Sequence, residues 1–195
     1  MTAAERFATI LAAPIELERV RLRAIAQADI DGIYAIYSDA ETARYLSGPA
    51  WTDRAQAAAF VERVQASYGT GSAISLAVER KSDGALVGEC VLFGFNDQCR
   101  RAEIGYTLGR AYRSQGYMRE ALAGLIDIGF GPLDLNRIEA DIDPRNEPSA
   151  RILERLGFVK EGYLRERWIV AGEKSDTALF GLLKSEWPSG PARRP

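Results

Sequence analysis

The 195-residue sequence contains no histidine. That absence excludes Ser-His-Asp and Cys-His catalysis, and it leaves proton transfer to carboxylates, tyrosine, serine, lysine or water. Cysteine is nearly as scarce: Cys90 and Cys99 stand alone, without a CxxC spacing. Two lone cysteines fit a reduced, cytoplasmic protein better than a disulfide scaffold, and they are too few to build a zinc site without carboxylates. We therefore expect no metal. No sign of charge dominates, with 25 Lys and Arg against 27 Asp and Glu. A global basic field for nucleic acid is thus lacking, and any anion must be recognised locally. No apolar run approaches the ~18 residues of a membrane span. The opening "MTAAERFATILAAPIELER" has an acidic residue early and no long apolar core, so it reads poorly as a signal peptide. A GK[ST] after a glycine loop is missing, as is GxGxxG, which removes the Walker and Rossmann readings.

What is present alternates between two periods. In "ERVRLRAI", Val20, Leu22 and Ala24 oppose Arg19, Arg21 and Arg23, the pattern of a half-buried strand. Residues 27–39 read as a helix with Ile30, Ile33, Tyr34 and Tyr37 on one face. Residues 52–68 read as a second helix, capped by Thr52 or Asp53, with Ala57, Phe60, Val61 and Val64 inward. Strands follow at 72–80 and 85–95, joined by "KSDG", and a third at 102–108. A helix at 116–130, a strand at 136–143 and a helix at 147–157 come next, then two long strands at 158–170 and 174–187. Pro148 suits a first helical turn and Gly157 a helix end. The order predicts one α/β (α+β) domain over residues 14–187, with 1–13 a loose leader and 188–195 a flexible tail.

Candidate chemistry gathers between residues 100 and 151. A strand feeds a helix through "GRAYRSQGYMREAL", where a glycine lets backbone approach an anion at the helix start. Arg100, Arg101, Arg110, Arg113 and Arg119 lie nearby, and guanidinium suits phosphate. The strand "RIEADID" carries a row of carboxylates, and "NEPSAR" puts Asn146 and Ser149 at the next helix start. Each feature also has a plain structural reading: a turn glycine, solvated arginines, a wet strand face, an N-cap with a first-turn serine.

Taken together, these segments resemble the GNAT acetyltransferase superfamily, and within it the RimJ/RimL-like group of ribosomal-protein N-terminal acetyltransferases. The resemblance covers about residues 16–187. The superfamily's pyrophosphate loop, [Q/R]-x-x-G-x-[G/A], is matched by Arg113-Ser114-Gln115-Gly116-Tyr117-Met118, with Met118 departing at the last position. "N-x-x-S" at Asn146 to Ser149, then "ILERLGF" and "EGYLRE", match the group segment by segment.

The resemblance implies a mixed, mostly antiparallel sheet of about seven strands with helices on both faces and one splayed parallel pair. It implies acetyl-CoA as co-substrate and direct attack by a primary amine, a protein N-terminus or a small molecule, in a ternary complex. Donor contacts would come from Thr107 and Leu108 along the pantetheine arm, from Arg113 to Met118 at the pyrophosphate, and from Asn146, Ser149 and Arg151. A backbone N–H near Leu108 would stabilise the oxyanion. The family's usual tyrosine position is Leu153 here, so that role does not carry over; Ser149 is the expected acid. Glu103 is the expected base, with Asp141 second. Acceptor recognition would fall to 45–51 with the two N-terminal helices and to the last hairpin around 165–176; Tyr45, Trp51 and Trp168 would line that site, or are equally ordinary core or rim aromatics. No nucleic acid or membrane partner is implied, and the chain would act as a monomer or homodimer. The alternative is a CoA-binding module without catalysis.

Overall fold

The computed structural model describes residues 2–188. The alternation of Val20, Leu22 and Ala24 becomes β2 (Val20–Ala24), with Val20 and Leu22 fully buried. It pairs antiparallel with β3 (Ala73–Arg80), which pairs with β4 (Leu86–Asn96). Gly84 turns the β3–β4 connection at φ 72°, a conformation that only glycine adopts without strain. Next across the sheet comes β5 (Arg101–Leu108), then β6 (Arg137–Ile142). The order ends with β8 (Glu173–Leu183) and, at the edge, β7 (Val159–Val170). A two-residue β1 (Ile15–Glu16) at the other edge makes the sheet eight-stranded rather than seven. Every neighbouring pair is antiparallel except β5 and β6.

Helices cover both faces because the strands bury both. Leu76 and Val78 point to one side, where α5 (Tyr117–Phe130) lays Met118, Leu122, Leu125 and Ile126 against Leu22 and Leu92. Ala77 points to the other, where α2 (Ile30–Tyr37) and α4 (Arg54–Thr70) pack Ile33, Ala57 and Val61. Each fully buried Leu or Ile side chain contributes about 1.5–3 kcal/mol relative to exposure. Asp53 caps α4, accepting from the N–H of Ala55 at 2.8 Å. A short α3 (Ala40–Ala43), absent from the sequence reading, follows α2. α6 (Glu147–Arg155) follows β6.

The expected loose leader is corrected. Residues Ala3–Leu11 form α1, whose start is fixed by a reciprocal cap between Thr2 and Glu5. Phe7 is 1% exposed and its ring meets Phe95 at 5.6 Å between centroids. Of the expected tail, residue 188 is described and 189–195 lie outside the described residues.

The site depends on one interruption. The β5–β6 register holds from Arg101↔Arg137 to Glu103↔Glu139 and stops there, while β5 runs on to Leu108 and β6 to Ile142. The two strands diverge over their C-terminal halves.

Candidate active site

Beyond the divergence, the main chain of β5 is divided between two neighbours. Gly109 N–H donates to Val87 O at 2.8 Å. Antiparallel alternation from that bond turns the N–H and C=O of Gly105 and Thr107 toward β4, and those of Tyr106 and Leu108 toward the gap. Leu108 therefore offers main-chain groups to a guest in the gap. Thr107 does not, because its backbone belongs to the ladder opposite Glu89.

The chain then passes through a short loop into α5. Ser114 sits at φ 61° and Gly116 at φ 81°, and Gly116 is the N-cap. No side chain caps the helix, so the N–H groups of its first turn stay open at the positive end of the helix dipole. A Cβ on Gly116 would lie 3.0 Å from Arg19 Nη2. Arg19 braces the loop: its Nη1 donates to Gln115 O at 2.9 Å, its Nε to Glu120 at 3.0 Å, and its guanidinium lies 5.2 Å from the Tyr117 ring centre. Met118 is buried in the core, so only its N–H remains for a ligand. An anionic, amide-bearing donor fits this combination of open gap and uncapped helix start.

A cleft of about 680 Å³ lies on the sheet face that carries Glu89, Val91 and Phe93 of β4 opposite Thr107, Gly105 and Glu103 of β5. Residues 45–50 roof it, and Asp141, Ser149 and Trp168 complete its walls. Ser149 is buried in the first turn of α6, its N–H accepted by Asn146 Oδ1 at 3.3 Å. Its Oγ shares a 2.6 Å hydrogen bond with the Tyr106 hydroxyl. Burial pushes that phenol up to about 12 against the opposing pull of Ser149, so Tyr106 holds its proton at neutral pH.

The carboxylates differ in their commitments. Asp141 accepts from Thr177 Oγ1 at 2.8 Å and from the Trp168 indole N–H at 3.2 Å. Burial, and then the negative charges of Asp141 and Glu139, raise Glu103 above the usual carboxylate range. Glu89 is 5% exposed, and its Oε1 accepts the Tyr37 hydroxyl at 2.6 Å. Burial raises it to about 6, opposed by that hydrogen bond.

Several residues expected at the donor face stand elsewhere. Arg113 turns to α3, donating to Glu41 at 2.6 Å and to Thr42 at 2.7 Å. Arg151 pairs with Glu147 one helical turn away. Asn146 acts as an N-cap. Arg100 and Arg101 pair with Asp134 and Glu139. Trp51 stacks on Tyr37 at 4.4 Å in the α2–α4 core, whereas Tyr45 and Trp168 line the cleft. Sequence reasoning missed Tyr106, Glu89 and Arg19. The signal for Glu89 was a carboxylate inside an otherwise apolar strand; Tyr106, between Glu103 and Thr107, carried no such signal.

The family model described as an acetyltransferase (GNAT) domain matches residues 19–159. An N-acetyltransferase of Bacillus licheniformis, p20, whose role is uncharacterized, is 36% identical over 87% of this chain and 96% of its own length. The [ribosomal protein uS5]-alanine N-acetyltransferase of Escherichia coli is 34% identical over 45% of each chain. The fold is shared with Mycobacterium smegmatis RimJ, solved in complex with CoA-disulfide, at a TM-score of 0.80 and 24% identity over 91% of this chain and 89% of that one. GNAT acetyltransferases draw on acetyl-CoA, and both of these sequence relatives are named N-acetyltransferases, which supports acetyl transfer to an amine. The chain belongs to the GNAT acetyltransferase family, and its relatives include proteins of the RimJ/RimL-like group.

Proposed function

We propose that the chain moves the acetyl group of acetyl-CoA to a primary amine by direct attack, with donor and acceptor bound together. The observation that carries this reading is the opening of the β5–β6 gap onto the cleft that contains Ser149. The pyrophosphate rests on the open N–H groups from Ser114 to Met118. The pantetheine arm extends the sheet at β5, pairing with the gap-facing groups of Tyr106 and Leu108. Leu108 N–H then stabilises the oxyanion as the amine attacks. Held side by side, the reactants need little more than orientation, because a thiolate is a fair leaving group.

Ser149 donates its hydroxyl proton to the departing sulfur, and Tyr106 resupplies it through the 2.6 Å bond. Tyr106 thus brings from β5 the phenol missing at Leu153. The acceptor enters over the carboxylates of the cleft, which favour an ammonium. A protein N-terminus, which is what the name of the E. coli relative implies for that enzyme, and a small amine both meet this requirement.

Initial rates with acetyl-CoA and a panel of N-terminal peptides and small amines test the reading. Thiol release is expected to require an amine, and double-reciprocal lines are expected to intersect. Parallel lines with an acetylated enzyme would contradict direct attack. Donor binding without thiol release for any amine would contradict catalysis.

A further inference from the structure

Among the described residues, one buried side-chain polar atom has no hydrogen-bond partner: Glu89 Oε2. It belongs to a residue that lines the cleft. An unsatisfied buried carboxylate oxygen is costly, and a ligand group that donates to it offsets that cost. Glu89 stands directly across the ladder from Thr107, about 5 Å away in strand spacing. It is therefore one residue from Leu108, whose N–H faces the gap.

The other carboxylates of the cleft are less suited to exchange a proton there: Asp143 and Glu173 pair with Arg145, and Asp176 accepts the Tyr163 hydroxyl. Both oxygens of Asp141 lie within hydrogen-bonding reach of the Trp168 indole. Glu103 is only half-buried, and it lies at the other end of the β5 row, beside Asp141 and Glu139.

We propose that Glu89 receives the acceptor's ammonium at Oε2 and takes its proton. This rests on the acetyltransferase reading above. The ammonium transfers one proton to the Glu89 carboxylate and becomes a neutral amine. The amine lone pair forms the C–N bond, and the C–S bond breaks with its electron pair on sulfur. The thiolate takes a proton from Ser149, and the second N–H proton leaves to solvent with the product. Tyr37 holds Oε1 and keeps the carboxylate aimed, so it is a positioning residue. Burial and the Tyr37 hydroxyl on α2 set the ionisation of Glu89. The other polar, charged or titratable groups around this pair are Thr107 on β5 and Arg63 on α4, which act on Tyr37, then Tyr68 on α4 and Cys90 on β4, with Glu103 and Asp141 in the same cleft.

The test is the pH profile of kcat/KM for an amine that the wild type accepts, in Glu89→Gln and Tyr37→Phe, with acetyl-CoA affinity and melting temperature measured alongside. Glu89→Gln is expected to lower kcat/KM at pH 7 about 100-fold or more. Activity should recover as pH approaches the amine's own pKa, because a neutral amine needs no base. Acetyl-CoA affinity should stay within about twofold, and melting should not fall, because the variant removes a buried charge and keeps the Tyr37 acceptor. Tyr37→Phe removes a hydrogen bond that lowers the Glu89 pKa, so its acid limb should move to higher pH. A Glu89→Gln profile equal to the wild type overturns this proposal and leaves the acetyltransferase reading intact. So does a pH-independent loss with lowered melting, which marks a folding role. A wild type that releases no thiol with any amine overturns both.

Discussion

The two sides of the cleft are made of different material. The side proposed for the donor is main chain: the gap-facing groups of Tyr106 and Leu108, two left-handed residues at Ser114 and Gly116, and an uncapped helix start. The acceptor side is side chain, drawn from β4, β5, β6, β7 and the 45–50 segment. Main-chain recognition depends on conformation and tolerates exchange of side chains. Met118 at the last position of the loop motif fits this: its side chain is a core residue, which leaves only its N–H for the proposed donor. Side-chain recognition has no such tolerance, and a single exchange there alters which amine is taken and how fast.

Substitutions on each side sharpen this contrast. Ser149→Ala is expected to lower kcat about 100-fold, the low end for a positioned proton donor. Donor affinity, measured by calorimetry, should stay nearly unchanged, because backbone holds the donor. Gly116→Trp should do the reverse. A non-glycine residue at φ 81° costs about 1–2 kcal/mol, so the free loop is expected to relax to another shape, and restoring it lowers donor affinity about tenfold before the clash of the ring with Arg19 is counted. Wild-type acetyl-CoA affinity in that variant would remove the loop from the donor site.

Smaller effects separate wall from brace. Trp168→Ala removes an indole hydrogen bond to Asp141 and part of the cleft wall. It should raise KM for the amine about two- to tenfold, as one hydrogen bond is worth about 0.5–1.5 kcal/mol. Donor affinity should not respond. The least consequence is expected from Arg113→Ala. Its ion pair with Glu41 is half-exposed, and such pairs contribute about 0.2–1 kcal/mol. Acetyl-CoA affinity should weaken no more than about fivefold; a larger loss would mean that Arg113 leaves Glu41 to hold phosphate.

The same contrast explains what was legible in the sequence. Strand alternation at Val20, Leu22 and Ala24 and the helical stripe of α5 reflect local periods, and a glycine before a helix reflects a local conformation. All three can be read along the chain. Which side chain meets which depends on strand register, which is not local. Tyr106 and Ser149 are 43 residues apart and meet only because β5 and β6 diverge beside the start of α6. Glu89 stood in plain view inside "VGECV", a carboxylate within an apolar strand, yet nothing local says that it faces a cleft. Arg113 shows the converse: it lies beside the loop in sequence, yet its guanidinium pairs with Glu41 and Thr42 on α3. α1 was legible and overlooked, since Phe7, Ile10 and Leu11 carry helical spacing behind a Thr2–Glu5 cap.

The central claim is that acetyl-CoA is held by the main chain where β5 leaves β6 and α5 begins. Amide hydrogen exchange with and without acetyl-CoA tests it residue by residue. The account predicts slowed exchange at Tyr106, Leu108 and the amides from Ser114 to Met118, with the far edge at β1 unchanged. Saturating acetyl-CoA that leaves those amides exchanging at their free rates would contradict it.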